Sequence, residues 1–145
     1  MKPDEKKFIT VIVAIIILFI IVARVRVLQT HTPEEIFNNA QVVVFKTPID
    51  GENITSQTIQ FLIEVAPTNM SGLYVKSWEF ILAGEDFEKT ILSNLYFHST
   101  TPFTINEMLY LGSGGNYKAI VSLSCYYKNE HYVFNTTVQF NYIRT

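Results

Sequence analysis

Two consecutive segments near the C-terminus alternate apolar and polar residues almost without a break. Residues 116–128 read NYKAIVSLSCYYK and set Tyr117, Ala119, Val121, Leu123 and Cys125 on one face. Residues 131–143 read HYVFNTTVQFNYI and set Tyr132, Phe134, Thr136, Val138, Phe140 and Tyr142 on one face. A side-chain period of two belongs to a strand with one face in a core and the other in water. Only a tight turn around Asn129-Glu130 separates the two runs, so they predict an antiparallel hairpin.

The same grammar extends back to residue 41. QVVVFK (41–46) is followed by the turn-rich TPIDGEN. TIQFLIEV (58–65) alternates Ile59, Phe61, Ile63 and Val65 against Gln60, Leu62 and Glu64. LYVKSWEFIL (73–82), FEKTIL (87–92), LYFHS (95–99) and PFTINEMLYL (102–111) complete the set. Eleven Phe and eight Tyr supply the bulky residues that pleated, half-buried surfaces favour. About seven strands in roughly 105 residues predict an all-β, immunoglobulin-like antiparallel β-sandwich over 41–145. Trp78 falls mid-strand, where such sandwiches bury a tryptophan. Gly115-Asn116-Tyr117 opens the penultimate strand in the manner of a tyrosine corner, whose phenol bonds back to the main chain. Cys125 is the single cysteine, so no intrachain disulfide is available and the domain stands on packing alone. It reads as a small buried hydrophobe. Trp78, Tyr117 and Cys125 are thus the expected structural residues.

Upstream, residues 8–28 read FITVIVAIIILFIIVARVRVL. The uninterrupted apolar run, Phe8 to Ala23, spans about 16 residues and roughly 24 Å of helix, short of a ~30 Å hydrocarbon core. Continuing through Arg24 and Arg26, whose stems can snorkel, brings the segment to bilayer length. No small-x-small cleavage pattern follows, so the sequence predicts a retained single-pass anchor over 8–28 rather than a removed signal. Lys2, Lys6 and Lys7 on one flank against Arg24 and Arg26 on the other place the N-terminal tail (1–7) in the cytoplasm and the C-terminal domain outside the cell membrane. N-x-S/T sequons at Asn53, Asn69 and Asn135 all lie in the C-terminal part.

Between anchor and sandwich, 29–40 reads as a stalk. Thr32-Pro33-Glu34-Glu35 is a helix start with a capping box, and Asn38-Asn39 ends the helix quickly. The segment predicts a hinge, with Ile36 and Phe37 as the alternative, a docking pair.

Residues that could carry chemistry do not group. A blue-copper site needs two His and a Cys with a weak axial ligand. Here Cys125 sits in a strand, His131 lies across a turn, His98 is distant in sequence, and no Met follows Met108. Glu85, Asp86 and Glu88 mark a hairpin turn, where acidic residues are ordinary. His31 beside Glu34 and Glu35 reads as exposed stalk. Gly112-Ser113-Gly114-Gly115 lacks the Lys-Ser/Thr and helix of a phosphate cradle. No nucleophile–base pair with diagnostic spacing appears. The expectation is a non-enzyme without cofactor or metal. A net charge of -2 and the absence of a basic cluster argue against nucleic acid.

Surface remains. The face of 131–143 opposite the core carries Asn135, Thr137, Gln139 and Asn141. No Pro or Lys interrupts the segment, and a terminal strand of this kind can offer an open edge to another chain. Asn135, Thr137, Gln139 and Asn141 are therefore candidate interaction residues. A short tail, one anchor and an external sandwich together resemble the archaellum stator proteins of archaea, the FlaF/FlaG type. That resemblance implies a non-enzymatic envelope component that binds surface-layer protein or self-associates. The alternative is a small accessory subunit of an integral membrane enzyme such as a respiratory oxidase, held mainly through the helix.

Overall fold

The computed structural model describes residues 2–29 and 31–145, with side chains for all of these except 23–29. The chain forms two units, Met1–Thr32 and Pro33–Thr145.

The first unit is a helix, α1 (Pro3–Gln29), with Asp4 and Glu5 in its first turn, where carboxylates suit the helix dipole. It begins within the segment expected to be a free tail. Its apolar side chains from Phe8 to Val22 are exposed. Among the described residues, however, no helix is long and apolar enough to cross a membrane. The physical reason is length. Phe8 to Val22 is about 15 residues and roughly 22 Å, and Lys6 and Lys7 abut it directly. The extension that would have completed a span, through Ala23, Arg24 and Arg26, falls where side chains lie outside the described residues. The anchor at 8–28 and the cell-membrane placement built on it are thus not supported. The likeness to archaellum stators loses the anchor that formed half of it.

The second unit opens with α2 (Pro33–Ala40) and continues as strands in two sheets. One sheet has the order β1 (Val43–Thr47), β3 (Thr58–Val65), β6 (Phe103–Tyr110). The other has the order β2 (Glu52–Ile54), β8 (Glu130–Tyr142), β7 (Gly115–Tyr127), β4 (Tyr74–Ala83), β5 (Glu88–Asn94). The alternation read from sequence sets the inner faces. Ile59, Phe61, Ile63 and Val65 of β3 are buried, as are Tyr117, Ala119, Val121, Leu123 and Cys125 of β7 and Phe134, Val138, Phe140 and Tyr142 of β8. Phe61 joins the two layers, its ring 5.1 Å from Phe80 and 5.8 Å from Phe140.

Three departures from the sequence reading have local causes. The larger sheet is mixed, not antiparallel: β2 runs parallel to β8, with Glu52 opposite Phe140 and Ile54 opposite Tyr142. This eighth strand starts at the end of the turn-rich TPIDGEN, runs one residue past it, and buries little besides Ile54. LYFHS (95–99) is not a strand. His98 adopts a positive φ of 43°, and the segment is tied back to β4 by a single bridge, Ser99 to Val75, and by the His98 N–H donating to the Lys76 carbonyl. Trp78 is half-buried, not fully enclosed. Its ring stacks on Phe103 at 5.2 Å, and its indole N–H is buried with no acceptor among the described residues. At the other end of the sandwich, the Tyr117 hydroxyl donates to the Ser113 carbonyl, the bond expected of a tyrosine corner.

Candidate interaction edge

The β7–β8 hairpin turns through Lys128 and Asn129, both with positive φ (49° and 64°). Two such residues make a two-residue turn whose twist matches the strands it joins. The closing pair is Tyr127 and Glu130, and the register runs unbroken from there to Gly115 and Tyr142. In an antiparallel ladder each residue turns both its N–H and C=O either toward its partner or away from it. The register and closing turn aim the even-numbered residues of β8 at β7, so the odd-numbered ones point outward. The outer contacts agree. Gln139 donates its N–H to Asp50 Oδ1 (2.8 Å) and its carbonyl accepts from Gly51 N–H (2.7 Å), while Ile143 N–H donates to the Ile54 carbonyl (2.8 Å).

β8 is therefore only partly a free edge, which corrects the expectation that all of 131–143 is available. The main chain at Gln139 is taken by the Asp50–Gly51 turn, and Asn141 lies opposite Asn53 of β2. Neither can serve an incoming strand. Asn135 and Thr137 remain, and with them Val133, which the sequence reading did not single out. Among the described residues, no hydrogen bond reaches the outward main chain of Val133, Asn135 or Thr137. Their side chains are exposed, Val133 at 58%. The signal that could have found this stretch is the length of β2, three residues against thirteen in β8.

The outer edges on β1, β5 and β6 are guarded. β1 carries Lys46, paired with Glu64 at 3.6 Å, and a bulge between Phe45 and Thr47. β5 carries Glu88 and Lys89, and its pairing with β4 shifts between Phe80 and Ile81. β6 turns Glu107 toward the interior side of the sheet, half-buried in the register shared by Ile105 and Leu109. Charges and bulges of this kind discourage strand addition. From 131 to 137, HYVFNTT carries no formal charge with histidine neutral, no proline and no bulge.

The second candidate pair, Ile36 and Phe37, does not form a docking surface. Phe37 is 2% exposed and stacks on Phe134 with centroids 4.4 Å apart and planes 8° from parallel. Ile36 is half-buried against the same core. The helix α2 is a plug in the sandwich rather than a hinge.

Cys125 and His131 lie on opposite faces of the sheet. Cys125 is fully buried, opposite Tyr132, and burial pushes its thiol up to about 12. That is the behaviour of an inert core thiol. His131 is exposed, with Nε2 2.6 Å from Ser124 Oγ and its ring edge-on to Tyr126. His98 is exposed beside Tyr74. Among the described residues, no three His, Cys, Asp or Glu side chains come together as a metal-binding group. Glu85, Asp86 and Glu88 lie around the β4–β5 turn, and all three are exposed.

No family model matches the chain, and no curated protein matches it in sequence. Among solved structures, it is similar to a chain described as a superoxide reductase (neelaredoxin) from Ignicoccus hospitalis. The identity is 12% and the TM-score 0.52, over 78% of this chain and 94% of that one. At that identity the likeness concerns the fold alone. The non-enzyme expectation therefore stands beside a fold that an enzyme also uses, and activity has to be argued from side chains, not from the scaffold.

Proposed function

We propose that the second unit is a protein–protein interaction module that accepts a strand along the outer edge of β8 between residues 131 and 137. The observation that supports this reading is the run of outward main-chain groups at Val133, Asn135 and Thr137, left open while the outer strands β1, β5 and β6 of the two sheets are charged or bulged. Strand addition draws affinity from main-chain hydrogen bonds and specificity from alternate side chains. Those side chains are Val133, Asn135 and Thr137, with His131 at one end. The expectation of an envelope or surface-machine component rested on the membrane anchor and is not carried into this proposal.

Asn135→Pro tests it. Proline removes an outward N–H that has no partner inside the domain. Circular dichroism of the full chain should be unchanged, while binding of a synthetic peptide with the sequence HYVFNTT falls below detection. Thr136→Pro removes an inward N–H and should disrupt the β7–β8 ladder itself. If Asn135→Pro unfolds the chain as Thr136→Pro does, or if the peptide binds it as well as the parent, the edge is not the site.

A further inference from the structure

We infer that the occupant of this lane is the same lane of a second copy of the chain, the two β8 strands pairing antiparallel about a two-fold axis through Val133. The inference rests on the strand-accepting reading of β8 and adds the identity of the strand.

The lane has two ends that fix the register. At one end the hairpin turns at Lys128 and Asn129. At the other, Asp50 and Gly51 occupy the space beside Gln139. Outward residues must face outward residues for both copies to exchange bonds. With the axis at Val133, His131 faces Asn135 of the second copy, Val133 faces its own counterpart, and Asn135 faces the second His131. Each of these narrow pairs exchanges two bonds, so the ladder gains about six. The hairpin tip then stops at the level of Thr137 and Val138 of the other copy, just short of its Asp50–Gly51 turn. Moving the axis one residue along, to Phe134, would push Asn129 into the place that this turn fills. The Val133 register is thus the longest that the lane admits.

Side-chain chemistry favours the same register. The exposed Val133 covers a second Val133 at the axis. No like charges fall opposite each other within 131–137. At each end Lys128, whose ammonium lies over the Tyr127 ring at 5.3 Å, comes up against the exposed Asp50 of the other copy, so opposite charges meet twice. Cross-strand pairs of opposite charge stabilise a ladder and like charges directly opposite destabilise it. The two larger sheets would join into one continuous sheet, covering both open lanes.

The test uses the full-length chain in a mild non-ionic detergent that covers the exposed apolar side chains of α1. Val133→Cys places two thiols at the axis, and the native Cys125 is buried and silent. Under mild oxidation it should form a 133–133 disulfide at least about tenfold faster than a Met108→Cys control on β6, because pairing raises the effective thiol concentration. Sedimentation should show a dimer for the parent and a monomer for Val133→Glu. A parent that sediments as a monomer at the highest accessible concentration, or a Val133→Cys variant that cross-links no faster than the control, overturns the proposal. Amide exchange then separates the two claims. Fast exchange at Val133 and Asn135 in that monomer leaves the open edge standing and removes only the second copy. Protection there removes the edge reading as well.

Discussion

Truncating Phe37 measures how far α2 belongs to the folded unit. Its ring is 2% exposed and lies face to face with Phe134, 4.4 Å away. Removing a buried phenylalanine side chain costs about 3–5 kcal/mol, the sum of lost transfer energy and an incompletely collapsed cavity. The ring pairing contributes about 0.5–1.5 kcal/mol of that. Phe37 closes the space over Phe134, and Tyr132 flanks the same ring at 5.6 Å, so the cavity has large rigid walls and little chance to collapse. Phe37→Ala should therefore fall in the upper half of the range. A domain with a total stability of about 5–15 kcal/mol would lose about a quarter or more of it. Urea unfolding, followed through the fluorescence of the single tryptophan Trp78, reads this directly. The midpoint should drop sharply with an unchanged slope. Ile36→Ala, at a half-buried position, should cost clearly less. A double-mutant cycle of Phe37→Leu with Phe134→Leu should show coupling of about 0.5–1.5 kcal/mol. Loss of less than about 1 kcal/mol for Phe37→Ala would refute the reasoning, since surface truncations rarely exceed that. The helix would then be a detachable stalk after all.

Two further outcomes follow from single contacts. Tyr117→Phe removes the hydroxyl that donates to the Ser113 carbonyl and should lower stability by about 0.5–1.5 kcal/mol in chemical denaturation, with the sheet spectrum intact. Cys125 should give the chain a specific alkaline weakness. Its thiol is raised by burial to about 12, above its value in the unfolded chain, so its contribution is complete below about pH 9. Above that the unfolded thiol ionises while the native one cannot, and stability declines toward pH 12, by at most roughly 1.4 kcal/mol per pH unit for one proton. Stability measured against pH should fall less steeply between 9 and 12 in Cys125→Ala than in the parent. Equal slopes would mean that the native thiol is not held neutral.

The inner faces of β3, β7 and β8 were legible in the residue pattern alone, because a period of two leaves each side chain no choice of side once a strand forms. The sequence also placed the Tyr117 corner and the turn beside Asn129, features that depend on residues next to one another in the chain. What it could not determine was anything settled between distant segments. That Glu52–Ile54 lies along β8 depends on a lane about 90 residues away, and so short a strand leaves no periodic trace. The fate of Phe37 depended likewise on whether Phe134 had an open face to receive it. In isolation, an eight-residue helix with only two large apolar residues, Ile36 and Phe37, reads as a hinge. The apolar run of α1 invited a membrane reading on composition, and its described length fell short of a span. The free part of β8 emerged only in tertiary structure, since openness is what remains after every other strand has taken its place. A sequence states which main-chain groups exist, and only the packed sheets decide which of them are left without partners.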